Sequence, residues 1–120
     1  MIFWHSCSRT WHIAVTTALT ILLVQPPAAL AEDMPTFQLT AKNGHFYPET
    51  IEAPAGKKFR IAIKNEGPGP EEFESIELRK ETVLAVGVTR TLVFAPMKPG
   101  IYKFFGEFHL DTAKGQIVVK

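Results

Sequence analysis

The sequence predicts an all-β sandwich or small barrel, because short alternating runs are separated by regularly spaced turn signals and no segment reads as a long helix. The turn signals are rich in Gly, Pro and Asn, and they fall at residues 43–44, 54–56, 67–70, 87 and 98–100. The runs between these signals are rich in β-branched and aromatic residues. This composition favours strands over helices in each run.

The N-terminal segment, residues 1–31, has the three parts of a secretory signal peptide. Arg9 supplies a short basic region, residues 13–24 form an apolar run of 12 residues, and small residues lead to a cleavage site after Ala31. A membrane-spanning helix needs about 20 apolar residues, so this run is short for an anchor. We therefore expect export to the periplasm with no transmembrane anchor after cleavage, and an uncleaved anchor is the alternative.

Residues 32–120 are predicted to form one domain. Removal of 31 residues from 120 leaves 89, which is an ordinary domain size. The only cysteine, Cys7, lies in the signal segment, so the domain has no disulfide and depends on a filled apolar core. Of the 13 Lys and Arg residues, only Arg9 precedes residue 32, so the remaining 12 balance the 12 Asp and Glu residues. A neutral domain without a basic stripe argues against nucleic acid as a partner.

The first predicted strands have a clear apolar face. Residues 36–41 alternate, with Phe37, Leu39 and Ala41 on one side. Residues 58–65 repeat this alternation, with Phe59, Ile61 and Ile63 facing inward and Lys58, Arg60, Ala62 and Lys64 facing outward. Both segments are therefore predicted to cover one side of the core.

The acidic middle of the chain is the ambiguous part of the pattern. Residues 71–86 are rich in Glu, Lys and Leu, as helices are, but their apolar residues do not keep a 3.6-residue period. We therefore predict an extended segment over 72–78, a turn, and a strand near 81–85. Three further strands are predicted at residues 90–96, 100–105 and 115–120.

Two stretches resemble the cupredoxins. Residues 45–65, HFYPETIEAPAGKKFRIAIKN, resemble the N-terminal half of that family, in which F-x-P-x-x-I leads through a glycine turn to a strand ending in Asn. Residues 99–119, PGIYKFFGEFHLDTAKGQIVV, resemble its last hairpin, in which Cys-x-x-His opens a loop and Met precedes a Gly and the final strand. The resemblance covers nearly all of residues 32–120 and implies a cupredoxin-like Greek-key β-sandwich.

Only one of the four copper ligands implied by this resemblance is present. His109 stands where the loop histidine belongs, whereas Gly106 takes the place of the cysteine and Ala113 that of the methionine. We assign Glu72 to the place of the upstream histidine. A blue-copper centre needs two His, a Cys thiolate and a weak axial Met, so the sequence predicts no electron transfer of the blue-copper type.

Oxygen and imidazole donors stand in the two ligand loops instead. Glu72 and Glu74 project to one face of an extended segment, about 6.6 Å apart along the strand. Glu107, His109 and Asp111 have the same spacing in the second loop. If the sandwich brings both loops to one pole, these groups converge on a set that prefers a hard or borderline cation such as Fe, Mn or Cu(II).

A narrower resemblance implies the metal and the partner. The stretches EFES, LRKE and FFGEFHLDTAKG are similar to cupredoxin-like periplasmic proteins of bacterial iron uptake. These include the stand-alone partner of ferrous-iron permeases and the cupredoxin domain of EfeO-type proteins. The resemblance implies that the protein binds iron, with copper as a second candidate, and that it passes iron to an inner-membrane iron permease or oxidises iron for it.

We predict a metal site formed by His109, Glu72, Glu107, Glu74 and His45. His45 follows the 43–44 turn, and the N-terminal loops of cupredoxins often lie at the ligand pole. Glu107 is also suited to orient His109 as a hydrogen-bond acceptor. The residues do not decide between an Fe(II)-oxidising enzyme and a binding protein, and we favour binding. Two other functions stay open, a Cu(II) carrier that uses His45 and His109 and a metal-free docking module of a membrane transport complex.

Overall fold

The computed structural model describes residues 22–25 and 34–120, and its strands form a two-sheet β-sandwich. The strands are β1 Thr36–Lys42, β2 His45–Tyr47, β3 Thr50–Ala53, β4 Phe59–Asn65, β5 Glu71–Ser75, β6 Lys80–Leu84, β7 Thr89–Phe94, β8 Gly100–Phe105 and β9 Lys114–Val119. A short 3-10 helix, η1, spans Glu107–His109. The prediction of an all-β sandwich is therefore confirmed.

The strand order is that of a Greek-key sandwich. One sheet has the order β2-β1-β4-β7 and the other has the order β3-β9-β8-β5-β6. The pairs β1–β4 and β3–β9 are parallel, so the chain crosses between the sheets rather than running as a simple meander. β5 lies between β6 and β8 in the second sheet, and η1 in the β8–β9 connection contacts it.

The core is aromatic and lies between the two sheets. The alternation predicted for β1 and β4 is confirmed, since Leu39, Phe59, Ile61 and Ile63 are buried. Ala62 was predicted to face outward, yet it is buried, because β4 is a central strand and its neighbours cover a small side chain. The fully buried phenylalanines are Phe46, Phe59, Phe73, Phe94 and Phe104.

The acidic segment is extended, as the broken helical period predicted. β5 ends at Ser75 and β6 begins at Lys80, with a turn between them in which Arg79 has a φ of 52°. The predicted extended segment continued to residue 78, which is three residues too far. As a β-branched residue, Ile76 fitted the pattern of a strand in the sequence, but its side chain is 70% exposed in the turn.

The predicted signal segment lies outside the described residues apart from 22–25, so cleavage and export stay predictions. Within the part of the chain that the structure covers, none of the helical structure has the length and apolar character needed to cross a membrane.

Candidate metal site

Three connections meet at one pole of the sandwich. The β4–β5 loop lies beside the β1–β2 turn, since the Asn43 backbone N–H donates to the Gly67 carbonyl at 2.9 Å. The β8–β9 connection reaches the same place, because the His109 ring packs on Gly44. The predicted convergence of the two ligand loops at one end of the fold is therefore present.

The centre of this pole is a carboxylate–imidazole pair. The Nδ1 atom of His109 lies 2.6 Å from Oε2 of Glu71. The Glu71 side chain is only 4% exposed, whereas that of His109 is 47% exposed. Glu71 reaches inward because it shares a face of β5 with Phe73, which is fully buried. The other Glu71 oxygen, Oε1, accepts a hydrogen bond from the Glu72 backbone N–H at 3.0 Å. Both oxygens of this buried carboxylate are therefore partnered, as burial of a charge requires.

The two positions where cupredoxins carry sulfur also meet here. A Cβ atom added to Gly106 would lie 2.5 Å from Glu71 Oε1, 2.7 Å from the Glu72 carbonyl oxygen and 3.1 Å from the Ala113 Cβ. The Glu71 carboxylate thus occupies space that a side chain at position 106 would need. Residues 71, 106, 109 and 113 form one cluster, and among them only Glu71 and His109 carry a metal donor.

The His109 ring is held by backbone on its other side. Gly44 adopts a φ of +72°, and a Cβ atom added there would lie 2.9 Å from the ring carbons Cγ and Cδ2 of His109. The Thr112 hydroxyl donates to the Gly44 carbonyl at 2.5 Å, and the Ala113 N–H donates to the His109 carbonyl at 2.7 Å. These contacts fix the ring between the β1–β2 turn and Glu71.

Asn65 ties the strand that precedes Glu71 to its neighbours. Its side-chain amide donates to the Gly69 and Leu84 carbonyls, each at 2.9 Å, and its Oδ1 accepts from the Gly67 N–H at 2.8 Å. The side chain is buried and makes three hydrogen bonds. These hydrogen bonds of Asn65 therefore fix the β4–β5 loop, which leads directly to Glu71.

Glu72 lies on the opposite face of β5 from Glu71, in a separate acidic cluster. Its Oε2 accepts from the Glu107 N–H at 3.0 Å, and Glu74 stands directly across from Glu81 on β6. Burial raises the pKa of Glu72 above its ordinary 4.5. The negative charges of Glu107 and Glu74 and a hydrogen bond with Glu81 raise this pKa further, whereas the hydrogen bond from the Glu107 N–H lowers it. Glu72 and Glu74 share a face as predicted, but it is not the face of β5 from which Glu71 reaches His109.

The structure thus assembles the predicted ligands in a different way. The carboxylate bonded to His109 belongs to Glu71, which the sequence interpretation missed, and not to Glu72. Glu72, Glu74 and Glu107 lie together on the other face of β5, where Glu72 is buried. His45 sits in β2 with its ring 6.1 Å from that of Tyr47. Over residues 22–25 and 34–120, no three His, Cys, Asp or Glu side chains are placed to hold one metal ion. The predicted five-ligand cage is therefore not assembled.

A cleft of about 440 Å³ opens beside the Glu71–His109 pair. Its walls come from the β1–β2 turn, including Lys42 and Asn43, and from the β4–β5 loop, including Gly67 and Gly69. The half-exposed imidazole is therefore accessible to small solutes.

The two-sheet Greek-key fold is cupredoxin-like, and the resemblance implies that Gly106 and Ala113 stand at its two sulfur positions. The model of the cupredoxin-like domain matches residues 13–119, and the chain belongs to this family. An uncharacterised protein of Rickettsia prowazekii strain Madrid E, RP394, is 40% identical over 82 residues, covering 68% of this chain and 66% of that protein. The match thus spans slightly less than two thirds of the relative's length.

Solved structures with a similar fold include copper proteins. Reduced auracyanin from Roseiflexus castenholzii has a TM-score of 0.62 at 16% identity, covering 71% of this chain and 96% of its own. The metal-binding domain of the Cu(I)-exporting ATPase CopA of Streptococcus pneumoniae D39, solved with Cu(I), has a TM-score of 0.63 at 17% identity, covering 75% and 90%. The periplasmic domain of cytochrome oxidase subunit II of Bradyrhizobium japonicum has a TM-score of 0.60 at 14% identity, covering 71% and 83%. At these identities the likeness concerns the fold, and the association with iron uptake stays a prediction.

Proposed function

We propose that the protein is an exported metal-binding protein that holds a hard or borderline cation between Glu71 and His109. The observation that carries the proposal is the 2.6 Å contact between the imidazole Nδ1 and the carboxylate Oε2 at the pole of a cupredoxin fold. A hydrogen-bonded carboxylate and imidazole share one proton, and a cation can take its place because both atoms are metal donors.

The donor set favours oxygen-preferring ions over Cu(I). Cu(I) prefers thiolate and thioether ligands, whereas imidazole and carboxylate suit iron, manganese and Cu(II). Met97 does not supply sulfur to this pole, since its carbonyl accepts from the Gly56 N–H in the connection that precedes β4, away from the Asn65 end of that strand. Iron is our first candidate, following the resemblance to iron-uptake proteins, and Cu(II) is the second, because structures with this fold include copper proteins.

A metal site with only two protein donors suits an ion that the protein must later release. Structural metal sites close all four coordination positions with protein ligands and hold the ion permanently. A pair of donors beside an open cleft leaves positions for water and for the donors of an acceptor protein. This arrangement supports delivery of iron to an inner-membrane permease, which we propose as the partner together with other periplasmic components of such a system.

A thermal-denaturation titration of the domain tests the proposal. Fe(II), Mn(II), Cu(II) and Cu(I) are added separately under anaerobic conditions, and the melting temperature is recorded, since a ligand that binds the folded state stabilises it. We expect a rise with Fe(II) or Cu(II) that His109→Ala and Glu71→Gln abolish. Glu74→Gln is the matched control on the other face of β5 and keeps the rise. Absence of a rise with every ion would overturn the proposal and favour the metal-free docking module.

His45→Ala separates the two metal candidates. His45 lies in β2 next to Gly44, on which the His109 ring packs. If Cu(II) is the cargo and recruits a second imidazole, this substitution weakens Cu(II) binding. If iron is the cargo, the Fe(II)-dependent rise in melting temperature is unchanged.

A further inference from the structure

The cleft beside the Glu71–His109 pair is larger than a bare ion requires. Its volume of about 440 Å³ falls within the ~300–1,000 Å³ of ordinary small-molecule sites. Glu71 and His109 both line the cleft, so a molecule in it would lie beside the two proposed metal donors. The space suits an ion together with a small organic ligand.

One wall of the cleft carries a lysine side chain that contributes little to the stability of the fold. Lys42 ends β1 and lines the cleft, and its side chain is 53% exposed. Its ion pair with Glu66 is long, at 4.0 Å, and the Glu66 side chain is 40% exposed. Exposed pairs of this kind contribute little to stability. The Lys42 ammonium is therefore available to an incoming anion.

The charge and the open coordination positions favour an anionic co-ligand. An Fe(II) or Fe(III) ion bound to the Glu71 carboxylate and the neutral His109 imidazole keeps at least one uncompensated positive charge. Two protein donors also leave most positions of an octahedral ion unfilled. An anion with several carboxylates can fill neighbouring positions and still present a free carboxylate to an ammonium group.

We propose that the site takes its metal as a complex with a small polycarboxylate of the citrate class. Glu71 and His109 bind the metal, and Lys42 pairs with a carboxylate of the anion that the metal leaves free. The inference rests on the proposed function, because it requires Glu71 and His109 to be the protein ligands of the metal.

Equilibrium dialysis with labelled citrate tests this inference. The domain is dialysed anaerobically against labelled citrate with and without Fe(II), and protein-bound citrate and iron are both counted. We expect about one citrate per protein in the presence of Fe(II) and none in its absence. Lys42→Gln lowers citrate retention about tenfold and leaves Fe(II) binding without citrate unchanged. Lys58→Gln, next to the opposite end of β4, is the matched control and retains citrate as the wild type does.

The outcomes separate this inference from the proposed function. If the wild-type domain, supplied with both, retains iron but no citrate, the co-ligand is overturned while the metal site stands. Neither iron nor citrate retained would overturn both. Equal retention of inorganic phosphate in place of citrate would assign the cleft to oxyanions in general and contradict the polycarboxylate class.

Discussion

Glu71 has two roles at the scale of single residues. Its carboxylate holds the His109 imidazole, and it fills the space beside Gly106 that a side chain there would occupy. The nearby Glu72 carbonyl also limits that space, at 2.7 Å from an added Cβ. Because a carbonyl of the backbone cannot swing aside as a side chain can, replacement of Gly106 alone cannot restore a cysteine ligand.

Gly106→Ala should therefore destabilise the domain. We expect a loss of about 1–3 kcal/mol in the free energy of unfolding, the usual cost of overpacking, measured by urea denaturation. Gly69→Ala is the control, because a Cβ added to Gly69 meets nothing within 4 Å. A Gly106→Ala variant as stable as the wild type would show that the pole has more room than the structure gives it.

The raised pKa of Glu72 predicts the sign of one contribution to the pH dependence of stability. Its raised pKa means that the folded state favours the protonated form, so this group contributes more stability as the pH falls through the raised pKa, with the gain complete below 4.5. Glu72→Gln keeps an acceptor for the Glu107 N–H and removes the charge. At neutral pH we expect the variant to be more stable than the wild type by up to about 1 kcal/mol, the scale of one like-charge contact on a sheet.

Urea denaturation at neutral pH and below 4.5 measures this difference between Glu72→Gln and the wild type. The difference should shrink at the lower pH, where the wild-type carboxyl is protonated in both the folded and the unfolded states. Glu77→Gln, in the exposed β5–β6 turn, serves as the control and shows neither effect. A variant that is less stable than the wild type at neutral pH contradicts the raised pKa.

At the scale of elements, β5 clamps the loop that carries His109. Two consecutive carboxylates on opposite faces of the strand reach it, Glu71 to the His109 ring and Glu72 to the Glu107 N–H. The clamp replaces the metal–sulfur bonds that a blue-copper centre would form at this end of the sandwich. The loop is therefore predicted to keep its shape without metal.

Hydrogen exchange tests the clamp. Glu71→Ala should speed amide exchange in residues 106–113 by about tenfold, equal to about 1.4 kcal/mol of lost protection, as followed by mass spectrometry. Exchange in β1 and β4 should stay unchanged. Glu74→Ala, on the outer face of the same strand, is the matched control. Unaltered exchange of the loop in Glu71→Ala would mean that backbone contacts alone hold it.

The same strand explains why the sequence predicted the site only in part. Side chains alternate with a period of two, so a shift of one residue moves a ligand to the other face. The sequence interpretation places the pair Glu72 and Glu74 at the site, although Phe73 between them faces the core. An inward Phe73 places Glu71 on the inner face as well, and this signal was available in the sequence. The contact with His109 was not, because it depends on how distant loops meet.

At the scale of the whole molecule, the sandwich could be predicted because its strands repeat a simple pattern. β1 alternates apolar and polar residues, β4 does so apart from Ala62, and turn residues mark their ends. The position of each loop relative to the others is a property of the folded chain that no local pattern contains. The sequence therefore predicted which end of the fold carries the metal donors. It did not predict that only one carboxylate, that of Glu71, contacts the His109 imidazole there.

The central claim is that Glu71 and His109 bind one cation together at this pole. Electron spin-echo spectroscopy of the Cu(II)-loaded domain tests it most directly, because Cu(II) binds nitrogen and oxygen sites at least as tightly as the other divalent ions of its row. The account predicts modulation from a single imidazole that His109→Ala removes and His45→Ala preserves, with a changed copper signal in Glu71→Gln. An imidazole signal that survives in His109→Ala would contradict it.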